Sequence, residues 1–200
     1  TFEAAPLTTL PGRIAGDGLG AAVAACDFDG DGWMDLAVGA AGAEDRARER
    51  RAFNQGAVLV FAGRAEGFSA SPDRTLWGDL PDETGDWRGV PNLRYGARLA
   101  AGDVDGDGRC DLVVGDPEGE ASGETDDGLV AVHFGRAAGL LSDRPAALFA
   151  TTDADDRGAR LGFSVAAADL DGDGRAEVIA GQPGHDAGEG DGHGAVRVFA

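Results

Sequence analysis

The 200-residue chain contains no lysine; all 17 of its positive side chains are arginine. Against them stand 36 Asp and Glu, for a formal net charge of −19. A surface that negative repels nucleic acid and anionic membranes, and it invites cations. Long apolar runs are missing too: none approaches the roughly 20 residues a membrane-spanning helix needs. Cysteine is scarce, and the two present, Cys26 and Cys110, sit at different places within the repeats described below. No symmetric pairing suggests itself and no disulfide framework is indicated, so both are expected to be small buried hydrophobes. Catalytic signatures are equally absent. There is no Gly-x-Ser-x-Gly, no His-Glu-x-x-His and no His beside a plausible nucleophile. What remains is a chain that is 42% apolar with a mean hydropathy of −0.19, enough to bury a globular core.

What the chain does have is one acidic stretch written three times: DFDGDGWMD at 27–35, DVDGDGRCD at 103–111 and DLDGDGRAE at 169–177. Aligning them gives spacings of 76 and 66 residues, and the agreement runs beyond the acidic stretches. Eight residues before each first Asp stands a bulky residue followed by Gly: Leu19-Gly20, Tyr95-Gly96 and Leu161-Gly162. Twelve residues after it stands Gly39, Gly115 or Gly181. Two of these continue as Gly-x-Pro, ending at Pro117 and Pro183, and the first reads Gly39-Ala40-Ala41.

Short apolar runs flank each acidic stretch: AAVAAC and ARLAAG before, DLAVG, DLVVG and EVIAG after. Their length and their Gly and Asp borders predict strands, joined by the acidic loop as an extended hairpin. A third strand is predicted at 56–63, 128–135 and 194–200, where β-branched residues alternate. A Gly-bearing turn then leads to a fourth at 74–78 and 146–150. Four antiparallel strands per repeat without a convincing helix predict an all-β protein of β-propeller blades. We expect a single region over 1–200, with repeats at about 13–78, 79–150 and 151–200. The segment 5–12 reads as a fourth strand that completes the last blade. Three blades are too few to close a ring comfortably, which points to a larger propeller or an assembly of chains.

Within each loop, oxygens fall at positions one, three, five and nine: Asp27, Asp29, Asp31 and Asp35; Asp103, Asp105, Asp107 and Asp111; Asp169, Asp171, Asp173 and Glu177. Position six is always Gly, where the chain must bend sharply. Position seven, occupied by Trp33, Arg109 and Arg175, varies as expected if only its backbone carbonyl is a ligand. Hard oxygens at alternate positions of a turning loop suit Ca²⁺, which takes six to eight oxygens at about 2.3–2.6 Å, better than the stricter octahedral Mg²⁺. An EF-hand is rejected, because its twelfth-position Glu is replaced here by Val38, Val114 or Ala180. Three Ca²⁺ sites are therefore expected, using twelve of the 36 acids. Four crowded carboxylates per empty loop couple metal binding to folding. The longer Glu177 makes the third site the looser one. Committed to metal, these acids are not read as a glycosidase pair.

The loop D-x-D-G-D-G-x-x-[DE], with a Leu/Tyr-Gly before it and Gly-x-Pro after it, resembles the FG-GAP repeat across essentially the whole chain. That repeat builds the β-propeller of integrin α chains and occurs in many bacterial secreted and surface proteins. The arginine-only, Ala- and Gly-rich composition suits a bacterial member. The resemblance implies metal hairpins on one face and ligand contacts on the opposite one. Here that face comprises the loops 42–55, 118–127 and 184–193, with 11–18, 78–94 and 151–158. Among these residues Trp87 and Arg88 are types favoured at binding hot spots, and the charged run EDRARERRAF at 44–53 reads as a short surface helix. His133 is expected to be structural; His185 and His193 flank a loop that either clips a metal or simply flexes. Together these readings give a calcium-stabilised, non-enzymatic module, extracellular or cell-surface, that binds a protein or glycan and neither nucleic acid nor the membrane interior. The alternatives are the propeller part of a secreted enzyme, a polysaccharide lyase or phospholipase, and an architectural spacer.

Overall fold

A computed structural model describes residues 8–12, 16–45, 54–81, 87–89, 93–119, 127–150, 158–186 and 192–200. Among them there is no helix, and the chain is all-β. The first sheet holds β1 (Leu19–Cys26), β2 (Asp35–Ala40), β3 (Ala57–Phe61) and β4 (Arg74–Trp77), side by side in sequence order. A small hairpin follows, β5 (Asp79–Pro81) with β6 (Trp87–Gly89). The second sheet begins with β7 (Arg98–Gly102), β8 (Asp111–Asp116) and β9 (Leu129–His133). Beyond the two-residue pair β10 (Gly135–Arg136) and β11 (Leu140–Leu141), it closes with β12 (Ala147–Ala150) against β9. The third sheet is β13 (Ser164–Ala168), β14 (Glu177–Gln182) and β15 (Ala195–Phe199). Every ladder is antiparallel, the layout of propeller blades.

Period-two alternation decides how the blades stack. On the first blade Ala24, Ala37 and Val60 lie in one row across β1, β2 and β3. They share a core with Leu112, Val114, Leu129 and Ala131 of the second. The opposite face of the second blade turns Val113, Val130 and Val132 onto Val178 and Ala180 of the third. Both faces of the middle blade are therefore buried, and β8 and β9 are buried along their whole length. The outer faces of the end blades stay open, which exposes Val23 on one side and Val196 and Val198 on the other.

The glycine landmarks explain themselves at these seams. A Cβ on Gly39 would strike the carbonyl of Gly96, and a Cβ on Gly115 that of Gly162. Thus the Gly that follows one acidic loop and the Gly of the next repeat's Tyr-Gly or Leu-Gly pair are the two sides of one close backbone approach. Tyr95 and Leu161 form short parallel bridges to Gly56 and Gly128 beside it.

The expectation of unpaired cysteines is corrected. Cys26 and Cys110 form a disulfide, with Cα atoms 6.0 Å apart and 84 residues between them in sequence. Blades related by rotation do not bring equivalent positions together. The last residue of one first strand meets the residue just before the second strand of the next blade. The next seam repeats the arrangement with Gly102 beside Ala176. The different repeat positions of the two cysteines are therefore what an inter-blade bridge requires.

His133, expected to be structural, is fully buried at the first seam, where its Nε2 lies 2.6 Å from the Tyr95 hydroxyl and its Nδ1 2.8 Å from the Ser142 carbonyl. The carbonyl can only accept, so Nδ1 carries the proton and Nε2 accepts from Tyr95. Burial pushes the imidazole from 6.5 down to about 4, and burial, with Asp116 and Asp79 nearby, pushes the Tyr95 hydroxyl well up. Residues 8–12 form no strand among the described residues, and 5–7 lie outside them. Leu10 and Pro11 instead line a cavity of about 210 Å³ on the open face of the first blade, with Leu19, Leu59 and Trp77.

Two outcomes follow for stability. Replacing both cysteines by serine, or reducing the bridge, should cost roughly 2–4 kcal/mol because a long loop is released in the unfolded chain. Urea denaturation with and without reductant reads this, and coincident curves would contradict it. The unfolded His133 gains a proton below pH 6.5 and the folded one only near 4. Its contribution is thus complete above pH 6.5 and is lost as pH falls toward 4, by about 3 kcal/mol. Over that window the stability of His133→Gln should fall less steeply than that of the unsubstituted protein.

Candidate metal centres

The hairpins between the first and second strands of each blade are built around their first Asp. Asp27 Oδ1 accepts the main-chain N–H of Gly30 at 2.7 Å and Asp31 at 3.1 Å, and Oδ2 that of Gly32 at 2.9 Å. Asp103 does the same with Gly106, Asp107 and Gly108, and Asp169 with Gly172 and Gly174. Folding the chain around one carboxylate requires a left-handed residue at position six. Gly32, Gly108 and Gly174 take φ of 91°, 86° and 92°.

The ninth residue closes the loop from the far side. Asp35 is 1% exposed; its Oδ2 accepts from Phe28 N–H at 2.8 Å and its Oδ1 from Gly63 N–H at 2.8 Å. Asp111 is bound alike by Val104, Asp105 and Gly135. Glu177 accepts from Leu170 N–H at 2.7 Å, so the longer side chain still reaches the second residue of its loop. Burial pushes the Asp35 and Asp111 carboxyls up despite these N–H donors. Asp29 is also pushed up, first by partial burial and then by the charges of Asp31 and Asp27.

Positions one, three and nine converge. Oxygens of Asp27, Asp29 and Asp35 lie within 4.8 Å of one another, as do those of Asp103, Asp105 and Asp111 and those of Asp169, Asp171 and Glu177. Position five stands outside these groups. Asp31, Asp107 and Asp173 accept the N–H of position seven, Trp33, Arg109 and Arg175, at 2.8–2.9 Å, and Asp107 also pairs with the Arg109 guanidinium. The position-seven side chains reach across the seams: Arg109 lies over Gly30 and Arg175 over Gly106. Trp33, with no blade on that side among the described residues, is 50% exposed. Each convergent group is three hard anionic oxygens with no basic side chain among them, a donor set that fits a hard divalent cation.

Two features of these loops escape a reading for ligands alone. Position two is apolar in all three copies, and Phe28 is buried in the core between the first two blades. Val104 is part-buried at the second seam, whereas Leu170, on the open face, is 58% exposed. The pattern D-Φ-D, with Φ apolar, was the available signal. The donors Gly63 and Gly135 lie just past β3 and β9, too far along the chain for any local motif to name.

Elsewhere, Trp87 and Arg88 fall on β6, and the run 46–53 lies outside the described residues, with no helix at 44–45. The loop 187–191 between His185 and His193 is likewise outside them, and neither histidine joins a metal-type cluster among the described residues.

Residues 19–61 match the FG-GAP repeat and residues 103–180 the FG-GAP-like repeat. The chain is 35% identical over 167 residues to phosphatidylinositol-glycan-specific phospholipase D of Rattus norvegicus, covering 82% of this chain and 18% of that protein. It is 31% identical over 169 residues to integrin alpha-5 of Xenopus laevis, covering 84% and 15%. To integrin alpha-IIb of Mus musculus it is 32% identical over 181 residues, covering 90% and 16%. The chain thus spans less than a fifth of the length of these curated relatives.

The two kinds of carboxylate should separate under mutation. In calcium-free buffer Asp35→Ala strands two buried N–H donors and should cost about 1–3 kcal/mol for each. Asp29→Ala, which loses one bond of 3.2 Å from Asp31 N–H, should stay within ~1 kcal/mol. Equal effects in chemical denaturation would contradict the division of labour.

Proposed function

The chain belongs to the FG-GAP repeat family, and from that premise we propose that it is a calcium-binding β-propeller module for extracellular protein or glycan binding. The observation that carries the reading is the threefold convergence of carboxylates at positions one, three and nine. Ca²⁺ is the proposed ion in each hairpin, and its role there is structural: a bound ion supplies the positive charge that offsets the crowded carboxylates. Asp27, Asp29 and Asp35 would hold the first ion, and their counterparts the second and third. The position-five Asp residues and the position-seven carbonyls of Trp33, Arg109 and Arg175 would join after a local rearrangement that releases the position-five carboxylates from their N–H bonds. Glu177 is expected to make the third site the weakest.

The inter-blade disulfide supports an oxidising compartment, and loops of modest affinity suit extracellular calcium, where Kd values run to about 10⁻⁴–10⁻³ M. Integrin relatives support a non-enzymatic binding role; the phospholipase D relatives support the alternative, in which the chain is the propeller portion of a secreted enzyme. No catalytic motif favours chemistry within this chain itself.

Thermal melts in millimolar Ca²⁺ and in excess chelator test the shared premise. We expect a clear rise of Tm with Ca²⁺, diminished by Asp29→Ala, Asp105→Ala and Asp171→Ala and least by the last. Superimposed melts would contradict the proposal.

A further inference from the structure

A cavity of about 110 Å³ at the seam between the second and third blades is lined by Arg94, Arg98, Arg160, Glu118 and Phe163. It sits at the ends of the blades away from the acidic hairpins, since Arg94 and Arg160 precede the first strands and Glu118 follows β8. Three arginines in one small cavity stand out in a chain of net charge −19. Arg94 is balanced by Glu118, with Nη1 3.1 and 3.4 Å from its two oxygens. Arg98 meets no carboxylate among the described residues. Its Nε and Nη1 donate to the carbonyls of Phe163 and Ala97 at 2.9 and 2.8 Å, and its guanidinium carbon lies 5.4 Å from the Phe163 ring centroid. Those contacts fix the fork and leave Nη2 without a protein acceptor among the described residues. Arg160 is exposed and has no acidic partner among them.

The blade scaffold does not require these side chains. By repeat position, the equivalents at the first seam of Arg94, Arg98 and Glu118 are Gly18, Ala22 and Gly42, and the equivalent of Phe163 is Ala97. The turn itself recurs: Gly18, Arg94 and Arg160 accept from Ala21, Ala97 and Phe163 N–H at 3.1 Å in each repeat. Its first residue is left-handed, with φ of 65°, 51° and 59°. Glycine takes that conformation freely, whereas arginine is strained there. Arg160 thus occupies a position where a Cβ is a cost, and its exposed side chain has no acidic partner among the described residues, which suits contact with something outside the chain.

We propose that this cavity binds one oxyanion group, carboxylate or sulfate, carried by an acidic glycan. Arg98 supplies a pre-oriented donor and Arg160 a free one, the arrangement that suits planar or tetrahedral oxyanions. The volume admits one such group rather than a whole sugar ring. Phe163, 42% exposed, offers an apolar wall for the ring that carries it. The same phenylalanine borders a second, open concavity with Gln182, Pro183 and His193, so the surface continues along a chain ligand. This assignment deepens the reading of the chain as a binding module and does not depend on which ion occupies the hairpins.

Calorimetric titration of the full chain in calcium with oligogalacturonate, a sulfated oligosaccharide, neutral oligoglucose and oligoglutamate tests it. Binding of at least one acidic glycan is expected, with none of the neutral one, and should weaken ~10-fold or more in Arg160→Gly and Arg98→Gln. Arg160→Gly suits the left-handed backbone, so its Tm should equal or exceed that of the unsubstituted chain, separating lost contact from lost fold. No binding of either acidic glycan, unchanged affinity in Arg160→Gly, or tighter binding of oligoglutamate would overturn the assignment. Calcium-dependent Tm shifts on the same samples show separately whether the parent reading stands.

Discussion

Asp35 and Asp111 are held to two obligations at once. Each is a buried carboxylate that accepts N–H bonds from its own loop and from the chain just past the third strand of its blade. Each also stands within 4.8 Å of two further carboxylates. The first obligation ties the hairpin to the blade; the second crowds negative charge against the same side chain. Among the described residues no basic side chain reconciles them: position seven is Trp33 in the first loop, and in the second Arg109 pairs with Asp107, which stands outside the convergent group. The rest of the design follows from where that tension sits. The first two acidic loops lie at the seam between their own blade and the next, so charge relief there is felt where blades meet.

The seams carry that coupling through short-range contacts. Main-chain N–H groups of Cys110 and Ala176 bond the carbonyls of Asp27 and Asp103 in the preceding loops, at 3.1 and 2.6 Å. Phe28, between two of the convergent aspartates, is itself a core residue of the first seam. The disulfide joins the residue before one acidic loop to the eighth residue of the next. Backbone approaches at Gly39–Gly96 and Gly115–Gly162 set the spacing at the other end of the blades. A seam is thus pinned at both ends, by acidic loops on one side and glycine contacts on the other, with apolar rows between.

Much of this is legible in sequence because the repeat supplies its own controls. Three copies of D-x-D-G-D-G, each between apolar runs, identify hairpin, strand order and blade without any structure. What stays hidden is what one repeat does to the next. Cys26 and Cys110 occupy unlike repeat positions, and rotation between blades sets unlike positions face to face. The role of Gly63 and Gly135 as donors depends on the third strand returning to the loop, a contact 28 or 24 residues away. The loop's polarity is also subtler than its alternation suggests. Four of the nine positions hold neither a convergent carboxylate nor a glycine, and Asp31 turns back on its own chain rather than joining Asp27, Asp29 and Asp35. Arg160 is equally invisible until its left-handed backbone and its lack of an acidic partner among the described residues are seen together.

The reading of the acidic loops as ion sites that hold the blades together rests finally on stoichiometry. Equilibrium dialysis of the purified chain against Ca²⁺, with metal counted per chain, is the most direct measure. The account predicts three ions per chain at saturation, with the last to fill being that of Asp169, Asp171 and Glu177. A chain that holds none at millimolar free Ca²⁺ would contradict it.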